Sequence, residues 1–336
     1  MLVDGKWTDA WRPVQATDEK GGFVRQISSF RNWVTRDGAP GPTGKAGLPA
    51  EAGRYHVFAA LPCPWATRVL IARKLKRLES FVSVSFVEPV MTDQGWRFAD
   101  RDALTGATYL HQIYTRADPH FSGRATVPTL WDKERRTIVN NESADIVRMF
   151  NSAFATLAMP SIDLYPADLQ SKIDPLNDQI YSSLNNGVYR AGFATTQAAY
   201  EEAFRAVFTM LDALERRLAA GPCLFGERLT ETDIRLFVTL ARFDAAYHGL
   251  FKNAICAASP IIRTSARISQ GSSSRPRSAR RSASITSSAA TIRSRRSIRV
   301  ASFRLALSSS GRPSLGCAIL NSPYDKARSD RRSRVQ

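Results

Sequence analysis

Apolar residues in the first half of this chain come in short runs separated by turn residues. Arg54–Leu61 is a nearly unbroken apolar run between Gly53 and Pro62, which predicts a buried strand. Pro62-Cys63-Pro64-Trp65 reads as a turn. Pro64 suits the first position of a helix, where a missing N–H costs nothing. Leu70, Ile71, Leu75 and Leu78 then share one helical face. Phe81–Val87 alternates with period two, predicting a second strand. Residues 88–125 form a long polar stretch dotted with aromatics. Val127–Asp132 reads as a strand that begins at a proline, Thr137–Asn140 as another, and Asn141-Glu142-Ser143 opens a helix running through Phe150.

The order β-α-β, long connection, β-β-α is that of a thioredoxin-like domain, placed at 54–153. After a linker near 154–166 the period becomes helical, with helices predicted over 168–185, 197–219 and 230–247. The predicted fold class is therefore α/β followed by all-α: a thioredoxin-like domain, then an all-helical domain over 166–252. The last helix has a capping box, in which Thr230 caps and Asp233 bonds back to the Thr230 N–H. That gives Asp233 a structural role. Residues 1–53, with Pro40, Pro42 and Pro49, read as an irregular N-terminal arm.

Composition changes this picture only at the far end. Of the net charge of +17, residues 253–336 hold +15, from 17 Lys and Arg against two acids. The first 252 residues hold 30 basic and 28 acidic residues and are nearly neutral. The last 84 residues also contain 21 serines and no Glu, His or Trp. One reading is a disordered basic tail that binds nucleic acid, although only Phe303 and Tyr324 are there to stack on bases. The other is that the stretch is read out of frame. With third codon bases left free, a shifted frame at 253–262 can spell Cys-Asn-Leu-Arg-Arg-Ile-Ala-Asp-Tyr. No run approaches the length of a membrane span, and the N-terminus lacks a basic-then-apolar leader pattern. Four cysteines without a CxxC motif make no disulfide framework and no structural metal site. A reducing compartment, the cytoplasm, is expected.

The chemistry points to Cys63. It sits where a strand ends and a helix starts, beside free N–H groups and the positive end of the helix dipole. That setting predicts a lowered thiol pKa and a nucleophilic thiolate. The motif supplies no second cysteine, so the resolving thiol must come from solution, and glutathione is the obvious supplier. Val127-Pro128 is expected to be cis and to aim the Val127 backbone at an extended peptide. Glu142-Ser143 at a helix start can hold the carboxylate and ammonium of a γ-glutamyl group; a plain helix cap is the simpler reading of the same residues. Cys223 reads as structural.

These residues resemble the glutathionyl-hydroquinone reductases, the Xi class of glutathione transferases. The resemblance spans about 1–252. It rests on Cys63-Pro64-Trp65-Ala66, Gly95-Trp96, the run Asp118 to Arg124, Val127-Pro128, Asn141-Glu142-Ser143-Ala144, and above all the run Asn185 to Ala194. It implies that Cys63 attacks the glutathionyl sulfur of a glutathionyl-hydroquinone and forms a mixed disulfide, which a second glutathione resolves. It implies that Trp96, Arg124, Val127, Glu142 and Ser143 bind glutathione and that Tyr165 and Tyr189 line the hydroquinone pocket. A homodimer without metal is also implied. Pro62 and Thr67 stand where the family usually has Ala and His.

The family resemblance bears on the tail as well, because the shifted frame matches the family's usual ending. The chain as written would then lack tail helices and a further pocket tyrosine, leaving the glutathione half-site better kept than the hydroquinone half-site. Rival functions are another cysteine-type transferase activity (dehydroascorbate or thiol-disulfide reduction), an inactive out-of-frame product, and nucleic-acid binding through the tail.

Overall fold

The run Tyr55–Ala59 dictates the architecture, because all five of its residues are buried. Short pieces precede it. The computed structural model describes residues 1–8, 17–42, 47–155, 157, 162–249 and 251. In the N-terminal arm, β1 (Leu2–Val3) and β2 (Lys6–Trp7) form an antiparallel hairpin, and β3 (Trp33–Thr35) pairs in parallel with β4 (Gly47–Pro49). The arm is thus less irregular than its prolines and glycines predict. Its strands are two or three residues long, too short for a period to register.

β5 (Tyr55–Ala59) leads into α1 (Pro64–Leu75), which crosses over to β6 (Val82–Phe86). A parallel pair needs such a crossover, and β5 and β6 are parallel from Tyr55↔Val82 to Ala59↔Phe86. After α2 (Leu110–Ala117) come β7 (Thr129–Asp132), β8 (Thr137–Asn140) and α3 (Ser143–Ser152). The sheet order is β6-β5-β7-β8, with β7 antiparallel to both neighbours. β5 is therefore central, which explains its apolar run. The four strands fall within the predicted segments. α2 was not expected. It buries Leu110, Ile113 and Tyr114 on one face, but no Ser, Thr or Asp caps it. Instead the Gln112 Oε1 accepts from the Thr108 and Tyr109 N–H groups at 2.7 and 3.1 Å.

The helical part holds α4 (Gln170–Ile180), α5 (Gly187–Gly192), α6 (Gln197–Leu218) and α7 (Glu231–Arg242). α4 runs straight into a π turn, Tyr181–Asn185, and α7 into another, Phe243–Tyr247. Across the linker expected near 154–166 the helical part packs with the sheet part in one compact unit. Polar ties explain this. Arg148 on α3 reaches Asp174 and Glu231, and Arg68 on α1 donates to Asn185 Oδ1 at 2.5 Å. A second unit begins at Leu211–Leu229; within it the Cys223 N–H donates to the Gly226 carbonyl at 2.9 Å, and Arg217 lies over the Phe225 ring. Residues 253–336, on which the out-of-frame and nucleic-acid readings rest, lie outside the described residues.

The predicted capping box is present. The Thr230 N–H donates to Asp233 Oδ2 at 2.8 Å, and Thr230 Oγ1 bonds the same oxygen at 3.0 Å. Thr230→Ala is expected to cost about 1 kcal/mol, read as a lower denaturant midpoint with an unchanged slope.

Candidate active site

Cys63 occupies the N-cap of α1, with extended backbone (φ −76°, ψ 118°) and Pro64 in the first turn. Its sulfur accepts from the Ala66 N–H at 3.5 Å and donates to the Val127 carbonyl at 3.4 Å. The Val127-Pro128 peptide is cis, as the sequence suggested. The loop before Cys63 is clamped by Arg242 at the end of α7. This side chain donates to the carbonyls of Leu61 (2.9 Å) and Pro62 (3.0 Å) and to Thr67 Oγ1 (2.8 Å).

The expected lowering of the thiol pKa is not what this environment produces. Part of the residue's surface is open, yet neighbouring atoms surround the sulfur, and burial pushes the thiol up. The N–H groups of Ala66 and Trp65 and the charges of Arg242 and Arg25 pull it down, and they do not win. Desolvation of a thiolate is the larger effect here. The resting group is a thiol, consistent with its donation to Val127.

An aromatic cluster adjoins the cysteine. The Trp65 ring lies 6.3 Å from Tyr189 and 5.9 Å from Tyr181, with the buried Arg68 guanidinium 4.4 Å from its centroid. Burial beside Arg235 pulls Arg68 down to about 9, so it stays charged at neutral pH. The hydroxyls of Tyr189 and Tyr247 approach to 3.4 Å, and Tyr247 is 3% exposed. Burial raises both phenols, and a thiolate at Cys63 would raise both further. Neither phenol ionises near neutral pH, so either can act as a hydrogen-bond donor.

Two of the expected glutathione-binding residues share a small hollow. Trp96 and Arg124 line it together with Met1, Trp7, Gln94 and His111. The Arg124 N–H is held by Gln26 Oε1 at 3.1 Å. Glu142 is the N-cap of α3. Its Oε1 accepts from the Ala144 N–H (3.2 Å) and Ser143 Oγ (3.4 Å), and its Oε2 accepts from Ser28 Oγ (3.0 Å). Glu142 and Ser143 are thus together, with Glu142 doing the capping.

The structure brings Cys63 to Val127, and Tyr189 to the Trp65 side of Cys63. Tyr165 stands in a different cluster. Its hydroxyl donates to Asp174 Oδ2 at 2.6 Å and the Arg148 guanidinium lies 3.9 Å from its ring centroid. Burial and that bond push its phenol up to about 12. Sequence reasoning missed Arg25, Arg242 and Tyr247. None belongs to the motif around Cys63, and only the fold brings them to it.

A four-stranded sheet of this order, with a lone cysteine at the first helix's N-terminus and helices following in the same unit, defines the glutathione transferase class. Models of the glutathione S-transferase N-terminal and C-terminal domains match residues 62–153 and 197–264. The chain is 54% identical over 258 residues to the glutathionyl-hydroquinone reductase YqjG of Escherichia coli, covering 75% of this chain and 78% of the relative. The glutathione-bound structure of YqjG superposes with a TM-score of 0.69 at 50% identity, over 79% and 82% of the two chains. The glutathione S-transferase Xi of Phanerochaete chrysosporium gives 0.68 at 45% identity, over 74% and 82%. The chain belongs to the glutathionyl-hydroquinone reductases, the Xi class of glutathione transferases. No described helix is long and apolar enough to cross a membrane, and no described cluster of His, Cys, Asp and Glu could hold a metal ion.

Proposed function

We propose that this chain removes glutathione from glutathionyl-hydroquinones. The observation that carries the reading is Cys63, a lone thiol at a helix N-cap that bonds the Val127 carbonyl and lies beside Trp65 and the Tyr189 phenol. The Cys63 thiol gives up its proton to solvent, and the thiolate attacks the glutathionyl sulfur. The bond from sulfur to the aromatic carbon breaks, its electron pair leaves with the ring, and the ring takes up a proton to become the hydroquinone. A second glutathione, as thiolate, attacks the Cys63 mixed disulfide. Oxidised glutathione leaves, and the expelled Cys63 thiolate takes up a proton to restore the thiol. Incoming substrate displaces the Cys63 sulfur from Val127, and the freed carbonyl accepts from the glutathione backbone. Trp96, Arg124, Glu142 and Ser143 hold the rest of glutathione, and Tyr189 faces the hydroquinone. Tyr165, its hydroxyl committed to Asp174, takes no part in this step. The fuller reading is a cytoplasmic homodimer, and light scattering of the purified chain tests the dimer.

The direct test is turnover of glutathionyl-menadiol with glutathione, monitored as menadiol and oxidised glutathione formed in equal amounts. Without the second glutathione, Cys63 should gain the mass of one glutathionyl group. Failure to form that adduct would sink the proposal. Tyr189→Phe is expected to lower turnover of glutathionyl-menadiol by about 10-fold or more. A simple glutathionyl disulfide, whose leaving group is already a good anion, should be far less affected. Equal losses on both substrates would assign Tyr189 to packing.

A further inference from the structure

Arg25, in the N-terminal arm, is the residue whose setting the mechanism above leaves unexplained. Its guanidinium carbon lies 4.8 Å from the Trp65 ring centroid, 4.6 Å from that of Tyr189 and 5.3 Å from that of Phe23. Its Nε donates to Asn186 Oδ1 at 2.6 Å. Its Nη2 is buried and has no hydrogen-bond partner among the described residues. A buried donor left unmade is costly, and an arginine is always charged. Three aromatic faces attract a cation, but they accept no hydrogen bond of ordinary strength.

The arm is tied down on both sides of Arg25. The Gly21 carbonyl accepts from the Thr195 N–H at 3.0 Å, and Thr196 Oγ1 donates to the Lys20 carbonyl at 2.7 Å. Beyond it, Ser28 meets Glu142 and Arg31 pairs with Asp145. The cation is therefore fixed in place before any ligand arrives. Its charge is felt by Cys63, by Tyr189 and by Arg124. A preorganised cation with an unpartnered Nη2, set between the rings beside the nucleophile, suits an oxygen that gains negative charge during the reaction.

The proposed reaction has such an oxygen. When the sulfur is taken by Cys63, the electron pair of the carbon–sulfur bond must be accommodated. If a proton has first moved from the adjacent hydroxyl to the sulfur-bearing carbon, that hydroxyl has become a ketone. Loss of sulfur then drives the electron pair into the ring and onto the oxygen, giving an aromatic phenolate, which takes a proton on release. We propose that Arg25 is a catalytic residue of the hydroquinone half-site, its Nη2 donating to this oxygen as the phenolate forms. The inference rests on the hydroquinone reading above.

The test compares two substrates that share the attack on glutathionyl sulfur: glutathionyl-menadiol, and the mixed disulfide of glutathione with a small aliphatic thiol. Arg25→Met is expected to lower kcat for glutathionyl-menadiol by about 100-fold, and for the disulfide by no more than about 3-fold. Arg25→Lys, which keeps the charge without the fork, should recover part of the hydroquinone rate. Equal losses on both substrates, or no loss on either, would overturn the assignment. The wild-type chain supplies a second measurement that does not depend on folding of a variant. 4-Nitrophenol bound in the pocket should ionise at lower pH than in water, seen as the yellow phenolate band. A bound nitrophenol that ionises at higher pH overturns the role of Arg25. Wild-type turnover of the disulfide without turnover of glutathionyl-menadiol would refute the hydroquinone reading itself, whatever the nitrophenol shift.

Discussion

Cys63→Ser is expected to abolish turnover, with a fall of about 10³-fold or more, while the fold is retained. A serine hydroxyl is a good N-cap and can accept from the Ala66 N–H as the sulfur does. The thermal midpoint should hold or rise. What disappears is a group that can become an anion at neutral pH and form a disulfide. The check is mass spectrometry together with rate: no glutathionyl adduct, no oxidised glutathione and a thermal midpoint no lower than wild type. Residual turnover above a few per cent of wild type would mean another thiol does the chemistry. The wild-type enzyme makes a companion prediction about pH. Burial holds the resting thiol above the ordinary cysteine range. Alkylation of free Cys63 by iodoacetamide should therefore be slower than that of a free thiol at neutral pH, and should climb about tenfold per pH unit. An early plateau would show instead that the arginines and helix N–H groups prevail.

The second large effect falls on stability. Asp132 is 0% exposed and receives both Nε (3.1 Å) and Nη2 (2.6 Å) of the buried Arg54. Its Oδ1 also accepts from the Glu134 and Arg135 N–H groups at 2.9 and 3.2 Å. Asp132→Ala leaves a buried guanidinium without this partner and is expected to cost about 3–5 kcal/mol. That is a large part of a typical domain's stability of about 5–15 kcal/mol. Chemical denaturation checks it directly. The pair sits at the Tyr55 end of β5, whereas Cys63 follows the Ala59 end. Variant molecules that remain folded should therefore still form the Cys63 adduct. The pH dependence has a definite sign. Burial alone would raise the Asp132 carboxyl, but Arg54 and the backbone N–H groups outweigh it, and its pKa lies below the usual value. Its contribution is complete above the unfolded carboxylate pKa of about 3.9 and is lost as pH falls through the lower folded value. The acid limb of stability should be flatter in Asp132→Ala than in wild type.

What the sequence disclosed and what it withheld follow from the range of the interactions involved. β5 was legible because a central strand is apolar on both faces, and α7 because Thr230 and Asp233 announce it locally. Cys63 was legible because Pro64 marks a helix start immediately after a strand. The direction of its pKa was not, because it is a contest between burial and the opposing charges of Arg25 and Arg242, which only the fold brings to the sulfur. The first hairpin escaped for a related reason. β1 is held by Gly123 through the Leu2 N–H and carbonyl, at 2.9 and 3.0 Å, a partner far along the chain. α2 carried a usable signal in Leu110, Ile113 and Tyr114, and lacked only a recognisable cap. Tyr189 stands out in the sequence through its motif, whereas Arg25 lies in a stretch where proline and glycine predict nothing but loop.

The two π turns impose a rule on how this protein can change. Each accommodates one residue more than an α-helix would need to cover the same rise. Asn185, in the first, meets Arg68, the Arg235 carbonyl and Thr239; Tyr247, in the second, meets Tyr189. Deleting a single residue from either turn would leave a plain helix of the same rise and move the turn's own side chains, set about 100° apart along a helix, to other faces. The Asn185 contacts, or the Tyr189–Tyr247 contact, would be lost together. Descendants of this chain are therefore free to vary side chains around the pocket but not the number of residues in these two turns, and insertions and deletions should collect in the connecting loops instead.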